Sequence, residues 1–490
     1  MSDFQVTVRR VNLPDGPRGT MARLRAGGGT DGRDGAYALL ESALPMAGLA
    51  EWSYIAGPTL ATLTSDELST RLVREGREIN VWSDPFEALD AIAGDGGTGA
   101  GNGDHSDSGS DSDPDRPAGM NFVGGWVGVL GYDLARPMAS AEAEPDPDGT
   151  PLPRQWWAAV DQVLGFHHPS GQWWHATVRG PSTRWPWSDA GRAQTWAATL
   201  QRARGPLPPR RGWRAGPRAL RTTQAAFERD VQLIRDAITR GEVLQVNLTR
   251  REDSPFSGDA WALYEDLVAA NPVPFAAYLE GPGFAIASCS PERFLQRCGD
   301  WVEARPIKGT APRGSDPAQD LARRDSLAAS VKDRAENVMI VDLMRNDLGR
   351  VAVTGSVQVP ELFALEPYAS VWQMVSTVRA RLRPQCGVAA LLRACWPPGS
   401  MTGAPKLKAM QIIDALEPLR RGWYSGSIGY LDCRGQMDLS VVIRSAVVAN
   451  GRVTLQLGGG IVADSEPASE WAETVAKGRL LVATLARGGA

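Results

Sequence analysis

Arg305-Pro306-Ile307-Lys308-Gly309-Thr310-Ala311-Pro312-Arg313-Gly314 is the stretch around which the rest of the chain reads most clearly. Pro306 starts a short extended piece, and Pro312 to Gly314 close it in a turn. Lys308 stands between apolar Ile307 and Gly309, so its ammonium can face a pocket as well as water. Gly309 lets a ligand approach the backbone, and Thr310 adds a hydroxyl and an N–H. A lone lysine beside a turn is ordinarily a solvated charge. Its role here depends on the residues that accompany it.

Working outward, the runs Leu244 to Arg251, Phe275 to Leu279, Phe284 to Ser288, Arg293 to Arg297 and Trp301 to Ile307 read as strands. Gln224 to Arg240 keeps Phe227, Val231, Ile234 and Ile238 at helical spacing, and Gly241 supplies the stop. Leu321 to Leu348 reads as one long helix closed by Gly349, with Asp333 and Glu336 on a common face. Gly399 to Ala409 reads as a glycine-rich turn opening a helix, with Pro405 in the first turn and N–H groups suited to an anion. Tyr424 to Leu431 and Leu439 to Val448 read as strands. The second carries Arg444, which needs an anionic partner if buried. Gly458, Gly459 and Gly460 read as a strand break where a ligand touches backbone, and a last helix from about Pro467 to Ala486 carries Glu470 and Glu473.

The N-terminal half is less regular. Tyr37 to Leu44 reads as a helix or strand edge, Trp52 to Leu63 as strand pieces, and Asp66 to Glu75 and Phe86 to Ile92 as helices. Residues 94–119 are mostly Gly, Asp, Ser and Asn and read as a disordered insertion. Phe122 to Leu134 reads as a buried strand with close backbone contacts. Trp156 to Val178 reads as two strands whose tryptophan pairs pack the core, and Arg202 to Pro217 as a linker. The chain is expected to divide into an N-terminal region, 1–210, and a C-terminal region, 218–488.

Bulk composition excludes several functions. Among 490 residues the net charge is −4, which disfavours a nucleic-acid role. No apolar run approaches the roughly 20 residues that span a bilayer, and Met1 to Asp15 lack a secretory apolar core, so a cytoplasmic protein is expected. The five cysteines form no CxxC pair. The four histidines, His105, His167, His168 and His175, all precede residue 176. Chemistry in the C-terminal half therefore runs without imidazole, which removes a histidine-based hydrolase or His-ligated metal there. The carboxylate sets Asp333/Glu336 and Glu470/Glu473, with Lys308, Arg444 and the glycine N–H groups, describe a site for a small dianion bridged by a divalent cation. Oxygen-only ligands fit Mg²⁺ best.

Residues 220–486 resemble the chorismate-utilising enzymes. The resemblance rests on Ser290-Pro291-Glu292, Pro306 to Thr310, Lys332 to Asn337, Asp342 to Leu348, Gly403-Ala404-Pro405-Lys406, Ile443-Arg444-Ser445 and Gly458 to Val462, all in family order. Leu39 to Ser42 and Gly124 to Asp133 extend it more thinly into the N-terminal half. It implies an α+β fold, a large antiparallel β-sandwich with helices packed outside. It implies Mg²⁺ ligands at Glu336 and Glu473, and a general acid at Glu292. It also implies contacts to chorismate from Gly309, Thr310, Tyr424, Arg444, Gly458, Gly459, Gly460 and Lys477.

Lys308 resembles the covalent nucleophile of the aminodeoxychorismate branch, where anthranilate synthases typically carry alanine. Gln373 stands where many relatives have the histidine linked to aromatisation. The expected reaction is therefore conversion of chorismate and ammonia to 4-amino-4-deoxychorismate, for 4-aminobenzoate and folate synthesis. The alternatives are an anthranilate or 2-amino-2-deoxyisochorismate synthase, an isochorismate synthase, and a non-catalytic tryptophan- or chorismate-binding subunit. Ser42, Pro274, Phe275 and Ala276 partly match the family's tryptophan pocket. No Gly-x-Cys-x-Gly elbow is present, so a separate glutamine amidotransferase subunit is expected to supply ammonia.

Overall fold

A computed structural model describes residues 5–26, 37–93, 119–135, 152–180 and 192–488. The expected disordered insertion, apart from Gly119, lies outside these residues. Two antiparallel sheets dominate, with 13 and 12 strands. The larger runs from Gln5–Val11 through Gln172–Arg179, Gln162–His167, Trp52–Ala56, Ala38–Glu41, Phe275–Gly281, Phe284–Ser290, Ser445–Ala449 and Arg452–Ile461 to Gln245–Gly258. The smaller runs from Ile307–Pro312 through Val371–Arg381, Trp301–Ala304, Arg293–Cys298, Met437–Val441, Ser427–Asp432, Gly125–Leu130 and Gln155–Val160 to Ala61–Ser65 and its neighbours. Each sheet joins a block of strands from the N-terminal half to a block from the C-terminal half. The joins lie at Ala277↔Leu40 and Gly429↔Gly128.

The core between the sheets is aromatic. Trp126, Trp157 and Trp174 are fully buried, and Phe122 stacks on Tyr430 with ring centroids 4.5 Å apart. Gly128 is obligatory there, because a Cβ would stand 2.2 Å from the Trp156 carbonyl. The expected strand pair at 156–178 is three strands, all largely buried. Helices pack outside: Gln224–Thr239, Val331–Gly349 and Pro467–Arg487 contact the strands that carry the site. No described helix is long and apolar enough to cross a membrane.

Four local expectations need correction. Asp66 to Glu75 is not a helix. The Leu68 and Ser69 N–H groups both donate to Asp66 Oδ1 at 2.8 Å, and the turn feeds a strand, Thr70–Arg74, paired with Ala61–Ser65. The long helix 321–348 is two helices, Pro317–Ala329 and Val331–Gly349. Ser330 interrupts it, because its hydroxyl accepts from the Asp333 N–H and caps the second helix. Within the expected linker 202–217, Trp213–Ala215 pairs with the end of Gln245–Gly258.

The fourth correction bears on function. Leu439 to Val448 is not one strand. Met437–Val441 belongs to the smaller sheet and Ser445–Ala449 to the larger, and Arg444, at φ 51°, turns the chain between them. Phe284–Ser290 and Arg293–Cys298 cross between the sheets in the same way, with Pro291 and Glu292 at the crossing. The two crossovers are tied together: the Cys289 N–H donates to the Arg444 carbonyl at 3.2 Å, and the Val441 N–H to the Glu292 carbonyl at 3.0 Å.

Candidate active site

Lys308 lies on the edge strand Ile307–Pro312 of the smaller sheet. The helix Val331–Gly349 is fixed against that strand by Asn337, which donates to the carbonyls of Lys308 at 3.4 Å and Met374 at 3.3 Å and accepts from Ser376 at 2.5 Å. Glu336 is thereby held over Lys308. Gly309 sits at φ 90°, and Asp333 packs so closely that a Cβ on Gly309 would lie 3.0 Å from its Cβ. Only glycine takes this backbone without strain.

The second wall is Arg452–Ile461. Gly458 to Gly460 do not break this strand; they pair in register with Thr249, Leu248 and Asn247. Close approach is what demands glycine. A Cβ on Gly459 would lie 3.2 Å from Glu470 Oε2 and 3.7 Å from Glu473 Oε1. A Cβ on Gly460 would lie 2.1 Å from Gln245 Nε2 and 3.0 Å from Lys308 Nζ. The final helix brings Glu470, Glu473 and Lys477 over the glycines, with Lys477 Nζ 2.6 Å from Glu473 and 3.1 Å from the Gly458 carbonyl.

Charges at the site influence one another. Burial lowers the Lys308 pKa and Lys477 adds to that, against the pull of Glu336, Glu292 and Glu473. Burial raises the Glu292 carboxyl to about 7, although Ser400, Lys308, the Ile307 N–H and Arg444 all favour its ionised form. A carboxyl at that value can hold a proton and give it up near neutral pH. Burial also raises Glu336. Burial pushes Glu473 the same way, but the Lys477 ion pair and the other lysines outweigh it and hold Glu473 low.

Arg444 makes no side-chain hydrogen bond or ion pair to any described residue, and burial lowers its pKa despite nearby Tyr368, Cys289 and Glu292. It remains charged and free to fork an incoming carboxylate. The anionic partner expected for it is therefore not supplied by a described side chain. Among the described residues no three acidic or sulfur or imidazole groups are already gathered as a metal cluster. The carboxylates nonetheless suit a hard cation. Glu470 Oε2 is buried with no hydrogen-bond partner beside Glu473, while its Oε1 accepts from Ser465 at 2.6 Å.

Most of the residues expected from sequence come together here. Thr310 is exposed and pairs across the strands with Gln373. Tyr424 is buried nearer to Arg421, Glu417 and Arg250, with no hydrogen bond to Lys308 or Glu292. Three residues were missed: Ser400, Gln245 and Tyr368, whose hydroxyl donates to the Pro291 carbonyl at 3.3 Å. Gln245 is fully buried with neither amide atom bonded. Pro405 caps the helix Lys406–Leu416 from outside, and Lys406 folds back over the preceding chain. Ser42, Pro274, Phe275 and Ala276 line a separate cavity of about 100 Å³ between the sheets, with Tyr54, Tyr430 and Arg293.

A family model of chorismate binding enzymes matches residues 73–483. The chain belongs to the chorismate binding enzymes. Within that family it is 44% identical over 358 residues to aminodeoxychorismate synthase component 1 of Klebsiella aerogenes, covering 73% of this chain and 76% of the relative. It is 38% identical to anthranilate synthase component 1 of Pseudomonas aeruginosa, covering 76% and 77%. The solved anthranilate synthase component I of Streptococcus pneumoniae TIGR4 superposes with a TM-score of 0.72 at 27% identity, covering 89% of this chain and 92% of that one. The α+β fold expected from sequence is that of this family.

Proposed function

We propose that this chorismate binding enzyme converts chorismate and ammonia to 4-amino-4-deoxychorismate. The observation that carries the reading is Lys308, whose pKa is lowered by burial and which faces Glu292 and Glu336. Relatives 40–44% identical over about three quarters of the chain bear the name aminodeoxychorismate synthase component 1, which supports the same reading. The name component 1 also supports a partner subunit, for which we infer a glutamine amidotransferase that releases ammonia.

In this reading Arg444 forks one carboxylate of chorismate, while the N–H groups around Gly309, Thr310 and Gly458 to Gly460 and the Lys477 ammonium receive the rest of the substrate. Tyr424 closes the far side. Lys308 attacks as the free amine, forming a C–N bond to the ring as the ring hydroxyl departs; Glu292 protonates that hydroxyl so that it leaves as water. Ammonia then forms the second C–N bond and the lysine amine leaves with the electron pair of the first. Lowering the Lys308 pKa matters because an ordinary lysine, at about 10.4, is almost wholly charged at neutral pH. Glu336 and Glu473 would hold Mg²⁺, with Glu470 beside them. The ion would neutralise a substrate carboxylate and polarise the ring. The cavity at Ser42 and Phe275 has aromatic walls that suit tryptophan.

The test is product analysis with chorismate, Mg²⁺ and ammonium at alkaline pH, followed by an aminodeoxychorismate lyase. The reading expects 4-aminobenzoate only when the lyase is added, and its loss in Lys308→Ala. Anthranilate formed without the lyase would place the chain with its 38%-identical relative and overturn the reading.

A further inference from the structure

The start of the strand Gln245–Gly258 sends alternate side chains to opposite faces. Val246 and Leu248 join the apolar cluster formed with Phe227, Ile234, Ala409 and Ile413. Gln245, Asn247 and Thr249 turn to the other face, where their partner strand has only glycine to offer: Asn247 pairs with Gly460 and Thr249 with Gly458. Contacts on either side of Asn247 fix that face. A Cβ on Gly460 would lie 2.1 Å from Gln245 Nε2 and 3.0 Å from Lys308 Nζ, and one on Gly458 would lie 2.7 Å from Thr249 Cγ2. Thr249 Oγ1 in turn donates to Glu417 Oε1 at 2.9 Å, Glu417 pairs with Arg421, and the Tyr424 N–H donates to the Arg421 carbonyl. Asn247 thus stands between Lys308 on one side and the Glu417–Arg421 pair, with Tyr424, on the other. Its backbone is held at both ends: the N–H donates to the Thr402 carbonyl at 2.8 Å, and the carbonyl accepts from Arg421 Nη2 at 2.7 Å. The side chain is 4% exposed, and its Nδ2 has no hydrogen-bond partner among the described residues. A buried amide donor left unpaired is costly unless an incoming group satisfies it.

We propose that Asn247 is a specificity-determining residue whose Nδ2 donates to the ether oxygen joining the enolpyruvyl group of chorismate to its ring. This rests on the reading of the cleft as the chorismate site. In that reading Arg444 forks one carboxylate, the cation at Glu336 and Glu473 takes a second, and Glu292 serves the ring hydroxyl. The ether oxygen is the acceptor to which no side chain has been assigned. In chorismate it is carried by the ring carbon next to the one bearing the hydroxyl. Its donor therefore has to stand beside the lysine and the acid that act on that hydroxyl, and Asn247 does. Cβ atoms of residues directly opposite on one face of a sheet lie about 5 Å apart. The space that Gly460 leaves empty is thus within reach of both the Asn247 carboxamide and Lys308 Nζ. The oxygen is neutral, and Asn247 offers a neutral donor on a backbone that is already fixed, so little ordering is needed on binding. A leucine or valine at this position would bury the same oxygen without a partner.

The experiment measures binding to the full chain with Mg²⁺ by titration calorimetry, so that it does not depend on which product the enzyme makes. The probes are two unreactive dianions: a benzoate carrying a lactyl group meta to its carboxylate through an ether oxygen, and the same molecule with CH₂ in place of that oxygen. Wild type is expected to bind the ether about fivefold to tenfold more tightly, the range of one neutral hydrogen bond. Asn247→Leu keeps the size of the side chain but not the donor; it should bind the two probes within about twofold of each other, with its affinity for the CH₂ probe close to that of wild type. Asn247→Asp has the same shape with an acceptor in place of the donor; it should also lose the preference, and it serves if the leucine variant does not fold. Equal binding of the two probes by wild type overturns the proposal. So does a preference that survives in Asn247→Leu or Asn247→Asp, and so does a leucine variant that weakens both probes alike, which would make Asn247 part of the wall and nothing more. Binding of neither probe to wild type would sink the underlying reading of the cleft, and the proposal with it.

Discussion

Gln245 and Lys308 converge on one point above Gly460: a Cβ built there would lie 2.1 Å from Gln245 Nε2 and 3.0 Å from Lys308 Nζ. Both clashing atoms are the ends of long side chains, which can swing aside at little cost to folding. Gly460→Ala should therefore fold, with stability lowered by no more than about 1 kcal/mol. It should lose roughly 100-fold or more in kcat/KM, because the two nitrogens are displaced. Thermal melts and steady-state kinetics on the same sample would check both halves.

Glu292 makes stability depend on pH. Its folded pKa, about 7, lies above the ordinary carboxylate value of 4.5. A group raised in this way contributes its full stability below the unfolded pKa and loses it as pH rises through the folded one. Glu292→Gln should therefore match wild type near pH 4 and be more stable at pH 8, by on the order of 3 kcal/mol. Denaturant melts at the two pH values give the answer. Equal differences at both would show that Glu292 is not the titrating group.

Magnesium affinity should depend on two separate helices. Glu336→Gln and Glu473→Gln are each expected to weaken Mg²⁺ binding by more than the roughly 10–100-fold that outer-shell partners cost, and Glu470→Gln by about tenfold. Titration calorimetry without substrate reads this directly. Unchanged affinity in Glu336→Gln would remove that residue from the ligand set.

Arg444 makes no side-chain hydrogen bond or ion pair among the described residues, so its replacement should be felt by substrate and hardly by the fold. Arg444→Lys retains charge but not the planar fork. KM for chorismate should rise about tenfold or more, corresponding to about 1.4 kcal/mol, with little change in melting temperature. A large stability loss with KM unaltered would mean that Arg444 serves the crossover rather than the ligand.

Much of this protein follows from local pattern. Alternation located the strands at 275–279 and 284–288, and helical spacing the helix Gln224–Thr239, whose Phe227, Val231 and Ile234 are buried as their spacing requires. The order of short motifs pointed to the chemistry before any contact was known. Where the reading went wrong, a side chain or a distant strand outvoted local preference. Ser330 captured the Asp333 N–H and divided a helix, and Asp66 made a hairpin of a helical-looking run.

What only tertiary structure decided is how the pieces meet. Leu439 to Val448 looks continuous in sequence because both of its halves are buried strands; that they belong to different sheets depends on partners elsewhere in the chain. Sheet membership is a non-local property, and so is the crossing that puts Arg444 beside Glu292. The same holds for Gly460, whose need for a hydrogen in place of a side chain comes from Gln245 and Lys308, more than 150 residues away. Residue types determine which chemistry is available; the long-range pairing of strands determines which of those residues share a site.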